Sequence, residues 1–318
     1  MRVAVIGAGG TYKTETAIAR AVRSLGHACR QINAPWWRTR FGRLGPSLAR
    51  RRVEGFAPDL VLVTIPALAL GEESLRAILH GRRSAFWFFD LAEPPLERAL
   101  RLARLTEVLY LTVPGQVDAY HRAGADVVRY MPQAVDPWLD RPTPCARPRF
   151  HCDVAFIGSG QYVERHEVLR AVSAVGDLHI YGPGWELNPH GLPVCGGALR
   201  GKAFAEVVRG AAISLGASAH PAEARALGAA SNRMWKVMGC GGFFLGDYVE
   251  GIEELARGGE HCAWYRSPDE AAALAREYLD APERRRQVAE AGRAHALAHH
   301  TYAHRLALLL NDQGYTST

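Results

Sequence analysis

The sequence has very little lysine and no long apolar run. Its 38 basic residues include only three lysines, Lys13, Lys202 and Lys236, so arginine carries almost all of the net charge of +6. No stretch approaches the roughly 18 consecutive apolar residues of a membrane-spanning helix, so neither a transmembrane segment nor a signal peptide is expected. Spread over 318 residues, this charge suits acidic ligands such as diphosphates and does not require a nucleic-acid partner.

Disulfide and metal-site spacings are missing as well. The six cysteines form no Cys-x-x-Cys pair: they are Cys29, Cys145, Cys152, Cys195, Cys240 and Cys262. Scattered thiols are typical of a reducing compartment, so we expect a cytoplasmic protein without structural zinc. The histidines near the C-terminus are His295, His299, His300 and His304. They lack carboxylate partners in the sequence, which favours solvated or capping roles, and no metal site is expected.

Two enzyme signatures are absent too. The sequence has no Gly-x-x-x-x-Gly-Lys-Ser/Thr loop and no Gly-x-Ser-x-Gly turn. These absences exclude a P-loop nucleotidase and disfavour an α/β-hydrolase with a serine nucleophile.

The sequence does contain a repeated alternation of short apolar runs and helix-like segments. The strand-like runs cover residues 3–6, 60–65, 85–89, 108–111 and 127–130 in the first half, and 153–157, 178–181, 212–215, 242–245 and 262–265 in the second. Strands that alternate with amphipathic helices build parallel sheets with helices on both faces. The sequence therefore predicts an α/β fold of two tandem Rossmann-like, doubly wound domains that face a cleft.

A proline-rich segment separates the two halves. Four prolines fall within residues 136–148, which can continue neither a helix nor a central strand. We predict an N-terminal domain over 1–140, a C-terminal domain over 141–300, and a C-terminal helix and tail over 301–318. The last predicted helix, 300–312, has no strand after it and is free to cross back to the first domain.

The first glycine-rich turn resembles a dinucleotide-binding fingerprint because it follows a strand and precedes a helix. The pattern fails at Tyr12, which occupies the third glycine position, and at Asn33, where an acidic residue would bind the ribose of NAD. Gly9, Gly10 and Thr11 are left with two interpretations, a substrate site at a helix N-terminus or a structural tight turn.

The second half places small residues and cations at two predicted helix starts. Gly158 and Ser159 follow a strand and precede Arg165, which is the arrangement of an anion site. The alternative is a tight turn followed by a surface arginine.

The other helix start lies in residues 231–242. Ser231 is the predicted N-cap of a helix on which Arg233 and Lys236 are three residues apart and share one face, ahead of a Gly-Gly turn. Cations at the positive end of a helix dipole favour a phosphate group, and an exposed cation pair is the alternative.

These segments resemble a known family. The runs VAFIGS, IYGPGW, SNRMWKVMGCGGFFLGDYVEGIEEL, EYLDAPERRRQVAEAGR and HHTYAHR, within residues 150–312, look like the CgeB-type (spore-maturation-protein-like) glycosyltransferases of the GT-B superfamily. In the N-terminal half, AYHRAGADVVRYMPQAVDP is the clearest similarity. The resemblance implies a C-terminal domain that grips a nucleotide-diphosphate sugar, an N-terminal domain that holds the acceptor, and no obligatory metal. The lack of any Asp-x-Asp motif also disfavours the metal-dependent GT-A type.

One position departs from the wider group of related enzymes. A glutamate of their R-x-F-E-x-x-A-C-G element binds the donor ribose, and Lys236 stands at that position here. Glu250, Glu253 or Glu254 is then the candidate that takes part instead.

Combining the motifs with the resemblance gives a set of donor-binding candidates. They are Gly158, Ser159, Arg165, Tyr181, Gly182, Trp185, Ser231, Asn232, Arg233, Lys236, Gly241, Gly242, Glu253 and Glu254. The cations and the backbone of the glycine turns are expected to bind the diphosphate, and the aromatic wall at Tyr181 and Trp185 is expected to stack on the base.

The acceptor side is predicted from strand ends. Asp90 follows the apolar run 86–89 and is the first candidate for the catalytic base, with a structural helix cap as its alternative. His220 is the second candidate. Glu93, with the Gly9–Thr11 turn, is expected to bind the acceptor.

The sequence therefore predicts a metal-independent glycosyltransferase (EC 2.4) that uses a nucleotide-sugar donor, no further cofactor, and an acceptor that the sequence does not identify. Two alternatives remain, a non-catalytic sugar-nucleotide-binding homologue and, less favoured, an NAD-dependent oxidoreductase. The arginine clusters at 38–43 and 50–52 are read as solvated surface, with an anionic acceptor or membrane surface and a nucleic acid as alternatives.

Overall fold

The computed structural model describes residues 1–312, which form two compact units. The first unit comprises Met1–Gln133 and the C-terminal segment from Tyr302, and the second is Ala134–Thr301. These boundaries lie close to those expected from the sequence at 140/141 and 300/301. The proline-rich segment 136–148 belongs to the second unit, where the side chain of Asp140 is buried.

Six parallel strands form the sheet of the first unit: β1 (Arg2–Gly7), β2 (Ala28–Asn33), β3 (Leu60–Val63), β4 (Arg83–Phe88), β5 (Val108–Leu111) and β6 (Val128–Tyr130). Their order is β2-β1-β3-β4-β5-β6. Every residue of β3 and β5 is apolar and buried, so the sheet is covered on both faces, as parallel sheets are.

The helices between these strands are α1 (Thr14–Ser24), α2 (Ala34–Phe41), α3 (Gly45–Glu54), α4 (Glu72–Leu79), α5 (Glu97–Ala103) and α6 (Val117–Arg122). Short 3-10 helices cover Gly42–Leu44, Ile65–Leu70 and Pro114–Gln116. The core of this unit is built from the apolar faces of β1, β3, β4 and β5 together with these helices.

A second six-stranded parallel sheet lies in the second unit: β7 (Cys152–Ile157), β8 (Leu178–Tyr181), β9 (Val194–Gly196), β10 (Ala211–Leu215), β11 (Phe244–Asp247) and β12 (Ala263–Tyr265). The order is β12-β11-β10-β7-β8-β9. The two sheets confirm the predicted fold class, and every apolar run predicted as a strand is a strand, with its ends displaced by no more than two residues.

The helices of the second unit are α7 (Glu164–Ser173), α8 (Lys202–Gly210), α9 (Pro221–Leu227), α10 (Asn232–Gly239), α11 (Pro268–Asp280) and α12 (Pro282–His299). Two 3-10 helices cover Pro148–Phe150 and Ile252–Glu254. Within residues 1–312, no helix combines the length and the apolar character that crossing a membrane requires.

The last helix, α13 (Tyr302–Asp312), packs on the first unit. The Tyr302 ring contacts the Trp87 ring at 5.9 Å between centroids, and Arg305 Nε donates to the Pro132 carbonyl at 3.0 Å. Leu309 is fully buried against the same unit. The crossing back that the sequence allowed is therefore present.

The residues just before α13 are not helical, contrary to the helix predicted over 300–312. Thr301 forms a parallel bridge with Val135, and the Val135 N–H donates to the His300 carbonyl at 2.8 Å. This extended pairing ends α12 at His299 and lets a separate helix begin at Tyr302.

Leu309→Ala tests the docking of α13. Removing a fully buried leucine leaves a cavity, so we expect the free energy of unfolding of the first unit to fall by about 2–5 kcal/mol. The matched control is Leu308→Ala, at a neighbouring position that is 57% exposed, which should change it by less than about 0.5 kcal/mol. Equal effects of the two substitutions in chemical denaturation would contradict this packing.

Candidate functional site

Glycines bring two strand ends of the second sheet into close contact. A Cβ on Gly182, after β8, would lie 2.0 Å from the Gly158 carbonyl oxygen, and one on Gly160 would lie 2.3 Å from the Trp185 ring. The indole N–H of Trp185 donates to the same Gly158 carbonyl at 3.1 Å. The turn after β7 is thus fixed at the carboxyl edge of the sheet, where parallel sheets bind ligands.

The N-terminus of α10 meets this turn. Ser231 is the N-cap, and its Oγ accepts the Arg233 N–H at 3.3 Å, as the sequence predicts. The Arg233 guanidinium lies 4.7 Å from the centre of the Phe156 ring. A Cβ on Gly158 would lie 2.7 Å from Arg233 Nη2, so only glycine leaves room for the guanidinium here.

Arg165, in the first turn of α7, lies beside the same ring. Its guanidinium is 5.8 Å from the centre of Phe156, its Nη1 donates to the Ser159 carbonyl at 2.8 Å, and its Nε donates to the Ala217 carbonyl at 3.0 Å. Two guanidinium groups from different helices therefore flank one phenylalanine.

No carboxylate of the described residues forms an ion pair with Arg233. Burial first, and then the nearby charge of Arg165, lower the pKa of Arg233 to about 10. Arg233 Nη1 and Asn232 Oδ1 are both buried without a hydrogen-bond partner in the described part of the chain. Buried polar atoms are usually paired, so these two atoms keep hydrogen-bonding capacity at the N-terminus of α10.

Arg225 and Asp247 form a neighbouring ion pair, so the Asp247 carboxylate is already paired and does not offset the charge of Arg233. Arg225 donates through Nε at 3.0 Å and Nη2 at 2.6 Å to Asp247 Oδ1, at the end of β11. Burial raises the pKa of Asp247 and Arg225 opposes that shift. Arg165 and Arg233 lie at this edge outside that ion pair. Together with the N-terminus of α10, they are the arrangement predicted for an anion such as a phosphate group.

His220 lies near this site. It is exposed, its Nδ1 is 3.8 Å from Glu164 Oε1, and its ring meets the Tyr162 ring edge-on at 5.4 Å. The Arg165 guanidinium lies 4.7 Å from the centre of that same Tyr162 ring. The structure therefore brings this candidate base to the cationic edge of the second unit.

The predicted aromatic wall is not available to a base. Trp185 is buried with its ring stacked on His166 at 5.0 Å between centroids, and Tyr181 is buried edge-on against Phe150 at 5.7 Å. Burial also raises the pKa of the Tyr181 hydroxyl to about 12. The stacking role predicted for Tyr181 and Trp185 is corrected, because both rings belong to the core of the unit.

The Gly-Gly turn is also separate from the anion site. Gly241 and Gly242 lie between α10 and the start of β11, at the amino edge of the sheet, whereas Gly158 and Ser159 lie at the carboxyl edge. Gly241 and Gly242 line another cavity of about 280 Å³. Their predicted contact with the same diphosphate is therefore corrected.

Lys236 lies one turn further along α10 than Arg233. Its charge lowers the pKa of the Cys240 thiol at the C-terminal end of the helix, against the larger effect of burial, which raises that pKa to about 12. Lys236 follows Arg233 at the predicted spacing, but the cation next to Arg233 in space is Arg165.

The predicted glutamates lie in the 3-10 helix after β11. Glu253 and Glu254 are both exposed. Glu253 Oε2 accepts the Gly258 N–H at 2.9 Å, so one oxygen of this carboxylate is engaged in its own loop.

The glycine turn of the first unit has an internal anion. The buried carboxylate of Glu15 accepts the Ala8 N–H at 3.0 Å and the Thr64 hydroxyl at 2.7 Å. It occupies the first turn of α1, where a dinucleotide would place its pyrophosphate. This favours the structural interpretation of the turn over a phosphate site.

The remaining residues of that turn lie at the surface or against β2. Gly10 has a φ of 119° and both it and Thr11 are exposed. A Cβ on Gly9 would lie 2.5 Å from the Asn33 side chain, so a close approach requires this glycine. Their predicted contact with an acceptor stays a prediction.

Asp90 and Glu93 lie together after β4. Both are exposed, and both charges contribute to the raised pKa of Tyr120, about 12, whose main cause is burial. Asp90 does not act as a helix cap, since α5 begins only at Glu97 with Leu96 at the N-cap position. The carboxylate is therefore open to solvent, as a group that acts on a substrate must be.

The sequence interpretation missed one part of this loop. Gln116 is fully buried and donates through Nε2 to the Ala92 carbonyl, while its Oε1 has no partner among residues 1–312. It fixes the chain between Asp90 and Glu93. The pattern Val-Pro-Gly-Gln after β5 gives no signal of this contact.

A known protein family matches most of the second unit. Residues 165–311 match the family Glyco_trans_1_2, described as Glycosyl transferase-like. The match begins at Arg165 and includes α10 with Arg233. No curated protein sequence matches this chain significantly.

Solved structures match the whole chain. Anabaena HepE (Alr3699), in a complex with UDP and glucose, has a TM-score of 0.69 at 12% identity and covers 99% of this chain and 100% of its own. Sucrose-phosphate synthase from Thermosynechococcus elongatus has a TM-score of 0.69 at 13% identity with the same coverage. A glycosyltransferase from Rickettsia africae has a TM-score of 0.67 at 11% identity and covers 99% of this chain and 97% of its own. At these identities the likeness establishes the two-domain GT-B fold.

Arg233→Met tests the anion site directly. The substitution keeps most of the side-chain volume and removes a charge that pairs with no carboxylate among residues 1–312. We expect inorganic pyrophosphate to bind at least about tenfold more weakly, since a charge-assisted contact contributes roughly 1.5–3 kcal/mol. The ligand-free variant should melt at the same or a higher temperature, because the uncompensated charge is gone.

Arg209→Met is the matched control, since Arg209 Nη1 donates to the Gly241 carbonyl at the opposite edge of the sheet. It should leave pyrophosphate affinity unchanged. Wild-type affinity in Arg233→Met, measured by calorimetry, would show that the arginine is not a ligand-binding group.

Proposed function

We propose that this protein, which has the GT-B fold, is a glycosyltransferase that moves a sugar from a nucleoside-diphosphate sugar to an acceptor hydroxyl. The observation that carries this proposal is the pair of guanidinium groups at the carboxyl edge of the second sheet. Arg165 and Arg233 flank Phe156, and Arg233 Nη1 has no partner in the described chain. The sequence match over residues 165–311 to a glycosyl transferase-like family supports the same assignment.

The diphosphate of the donor is assigned to this edge. Arg233 and Arg165 would bind its oxygens, with the N-terminus of α10 at Ser231 and Asn232 and the backbone at Gly158 and Ser159 beside them. A solved structure of HepE with UDP-glucose, a fold neighbour, agrees with a nucleotide-sugar donor. Lys236, one turn further along α10, is proposed as a further cation for the diphosphate. Glu250, Glu253 or Glu254 is proposed to take part in ribose binding in place of the glutamate of related enzymes.

These cations have a direct role in the chemistry. As the acceptor oxygen bonds to the anomeric carbon, the bond from that carbon to the diphosphate oxygen breaks and its electron pair leaves with the diphosphate. Two guanidinium groups and a helix N-terminus stabilise this departing charge without reorganisation. We therefore propose transfer that does not depend on a divalent cation.

The proton of the acceptor hydroxyl needs a base. We propose Asp90 as the first candidate, because it is exposed at the end of β4 in the first unit and its position beside Glu93 is fixed by Gln116. His220 is the second candidate, because it lies near Arg165 through the shared Tyr162 ring.

Membership of the CgeB-type group is part of the proposal and rests on the sequence motifs of residues 150–312. A cytoplasmic location is proposed as well, since all six cysteines are free thiols. An NAD-dependent oxidoreductase is not favoured, because Glu15 occupies the helix start that would bind the dinucleotide.

A ligand screen by thermal shift tests the donor class. We expect at least one of UDP, GDP, dTDP and CDP to raise the melting temperature, since a ligand at a hundred times its Kd stabilises by about 2.7 kcal/mol. The shift should persist in EDTA and be absent with NAD. Stabilisation by NAD alone would overturn the proposal, and a nucleotide shift without transfer or donor hydrolysis would favour the non-catalytic homologue.

Asp90→Asn tests the base. Loss of a general base typically lowers turnover by ~10²–10⁴-fold, whereas nucleotide affinity should be unchanged because the donor residues belong to the second unit. Asp118→Asn, which alters another exposed carboxylate of the first unit, is the control and should retain both. Full turnover in Asp90→Asn would assign the base to another group, with His220→Gln as the next variant to measure.

A further inference from the structure

Large apolar side chains are exposed at the corner between α2 and α3. Trp36 is 49%, Phe41 38% and Leu44 69% exposed, and these three residues lie within nine positions of the chain. We call them the aromatic corner. Scattered exposed apolar residues are ordinary, but a contiguous patch indicates an interaction surface.

The aromatic corner is held in place. Trp37 packs against the core of the first unit, and its ring contacts Trp36 at 5.2 Å and Phe41 at 5.3 Å between centroids. Gly42 has a φ of 53°, and a Cβ on Gly45 would lie 2.2 Å from the Trp37 carbonyl oxygen. These glycines allow α2 and α3 to pack closely, so the exposed rings are carried by packed helices and not by a loop.

Arginine surrounds this patch. Arg38, Arg40 and Arg43 are exposed, and none forms an ion pair with a described residue. The sequence contains nine arginines and no acidic residue between Glu15 and Glu54. The Arg40 guanidinium lies 5.7 Å from the centre of the Phe41 ring, so charge and apolar surface are adjacent. An apolar surface of Trp, Phe and Leu interleaved with exposed arginine is complementary to a surface that is both apolar and anionic.

We propose that the aromatic corner docks on an anionic lipid bilayer, with Trp36, Phe41 and Leu44 in the interfacial region and the arginines among the lipid headgroups. Tryptophan is favoured at that depth, and long arginine side chains reach the headgroups from a buried stem. This inference does not depend on the proposed function, because none of its residues belongs to the anion site.

The ring geometry favours lipid over nucleic acid. Single-stranded nucleic acid binds by stacking bases on free aromatic faces. Here Trp36 packs edge-on against Trp37 and Phe41, with interplanar angles of 85° and 84°. Trp36 and Phe41 therefore present one apolar cluster, which suits insertion between lipids.

Vesicle flotation tests the proposal with the full-length protein. The probes are vesicles of phosphatidylglycerol and phosphatidylcholine in equal parts, and vesicles of phosphatidylcholine alone. We expect wild-type protein to float with the anionic vesicles, and to bind about tenfold or more weakly to the neutral ones and to anionic ones in high salt.

Two triple variants separate the apolar and the charged contributions. Trp36→Ser/Phe41→Ser/Leu44→Ser and Arg38→Gln/Arg40→Gln/Arg43→Gln should each lose at least about tenfold in affinity for the anionic vesicles. The control, Leu187→Ser/Val194→Ser/Leu308→Ser, replaces exposed apolar residues elsewhere and should bind like wild type. A far-ultraviolet circular dichroism spectrum and a cooperative melting transition like those of the wild type show that each variant is folded.

Several outcomes would overturn the proposal. They are no flotation of wild-type protein, full binding by either corner variant, or an equal loss in the control. Binding of a single-stranded RNA that the aromatic variant loses, with no vesicle binding, would instead identify nucleic acid as the occupant of this surface.

Discussion

The uncompensated guanidinium of Arg233 is the constraint on which the functional edge of the second unit depends. Gly158 has no side chain because Arg233 Nη2 occupies the space beside it, and Phe156 offers its ring to Arg233 and to Arg165. The two like charges repel each other, and burial together with the charge of Arg165 lowers the pKa of Arg233 to about 10. This arrangement costs stability in the absence of an anion, and a bound anion would offset that cost, as the proposed function requires.

The two units use the same fold in opposite ways. Each has a glycine turn between a strand and a helix at the carboxyl edge of a parallel sheet. In the first unit the Glu15 carboxylate accepts hydrogen bonds from the Ala8 N–H and the Thr64 hydroxyl, so these donors are already paired. In the second unit two guanidinium groups, those of Arg165 and Arg233, lie at the turn, and Arg233 Nη1 has no hydrogen-bond partner among the described residues. The same architecture thus has a carboxylate at one helix start and two guanidinium groups at the other, so the two turns differ in the sign of the charge beside them.

Sequence patterns predict the strands well because buried parallel strands such as β3 and β5 are continuous apolar runs. β9 was missed since it has three residues, two of them exposed, and an irregular register. Ser231 is the N-cap of α10, as its sequence pattern predicts. Arg165 and Arg233 belong to two separate sequence motifs, and only the fold places them beside the same Phe156 ring. Gly241 and Gly242 are close to Arg233 in sequence, yet a helix carries the chain to the other edge of the sheet. The sequence around an aromatic residue such as Trp185 does not distinguish a solvent-exposed ring from a ring packed in the core. Only the fold shows that the Trp185 ring is covered.

The return of α13 has a consequence for biosynthesis. Because the first unit contains both the segment up to Gln133 and the helix Tyr302–Asp312, the second unit is an insertion within it. The ribosome delivers the second unit as one uninterrupted piece, which can fold as soon as it has emerged. The first unit is completed only when α13 has left the exit tunnel, and until then the apolar surface that Leu309 covers stays exposed. A chain that stops before Tyr302 would therefore expose an aggregation-prone surface on the first unit.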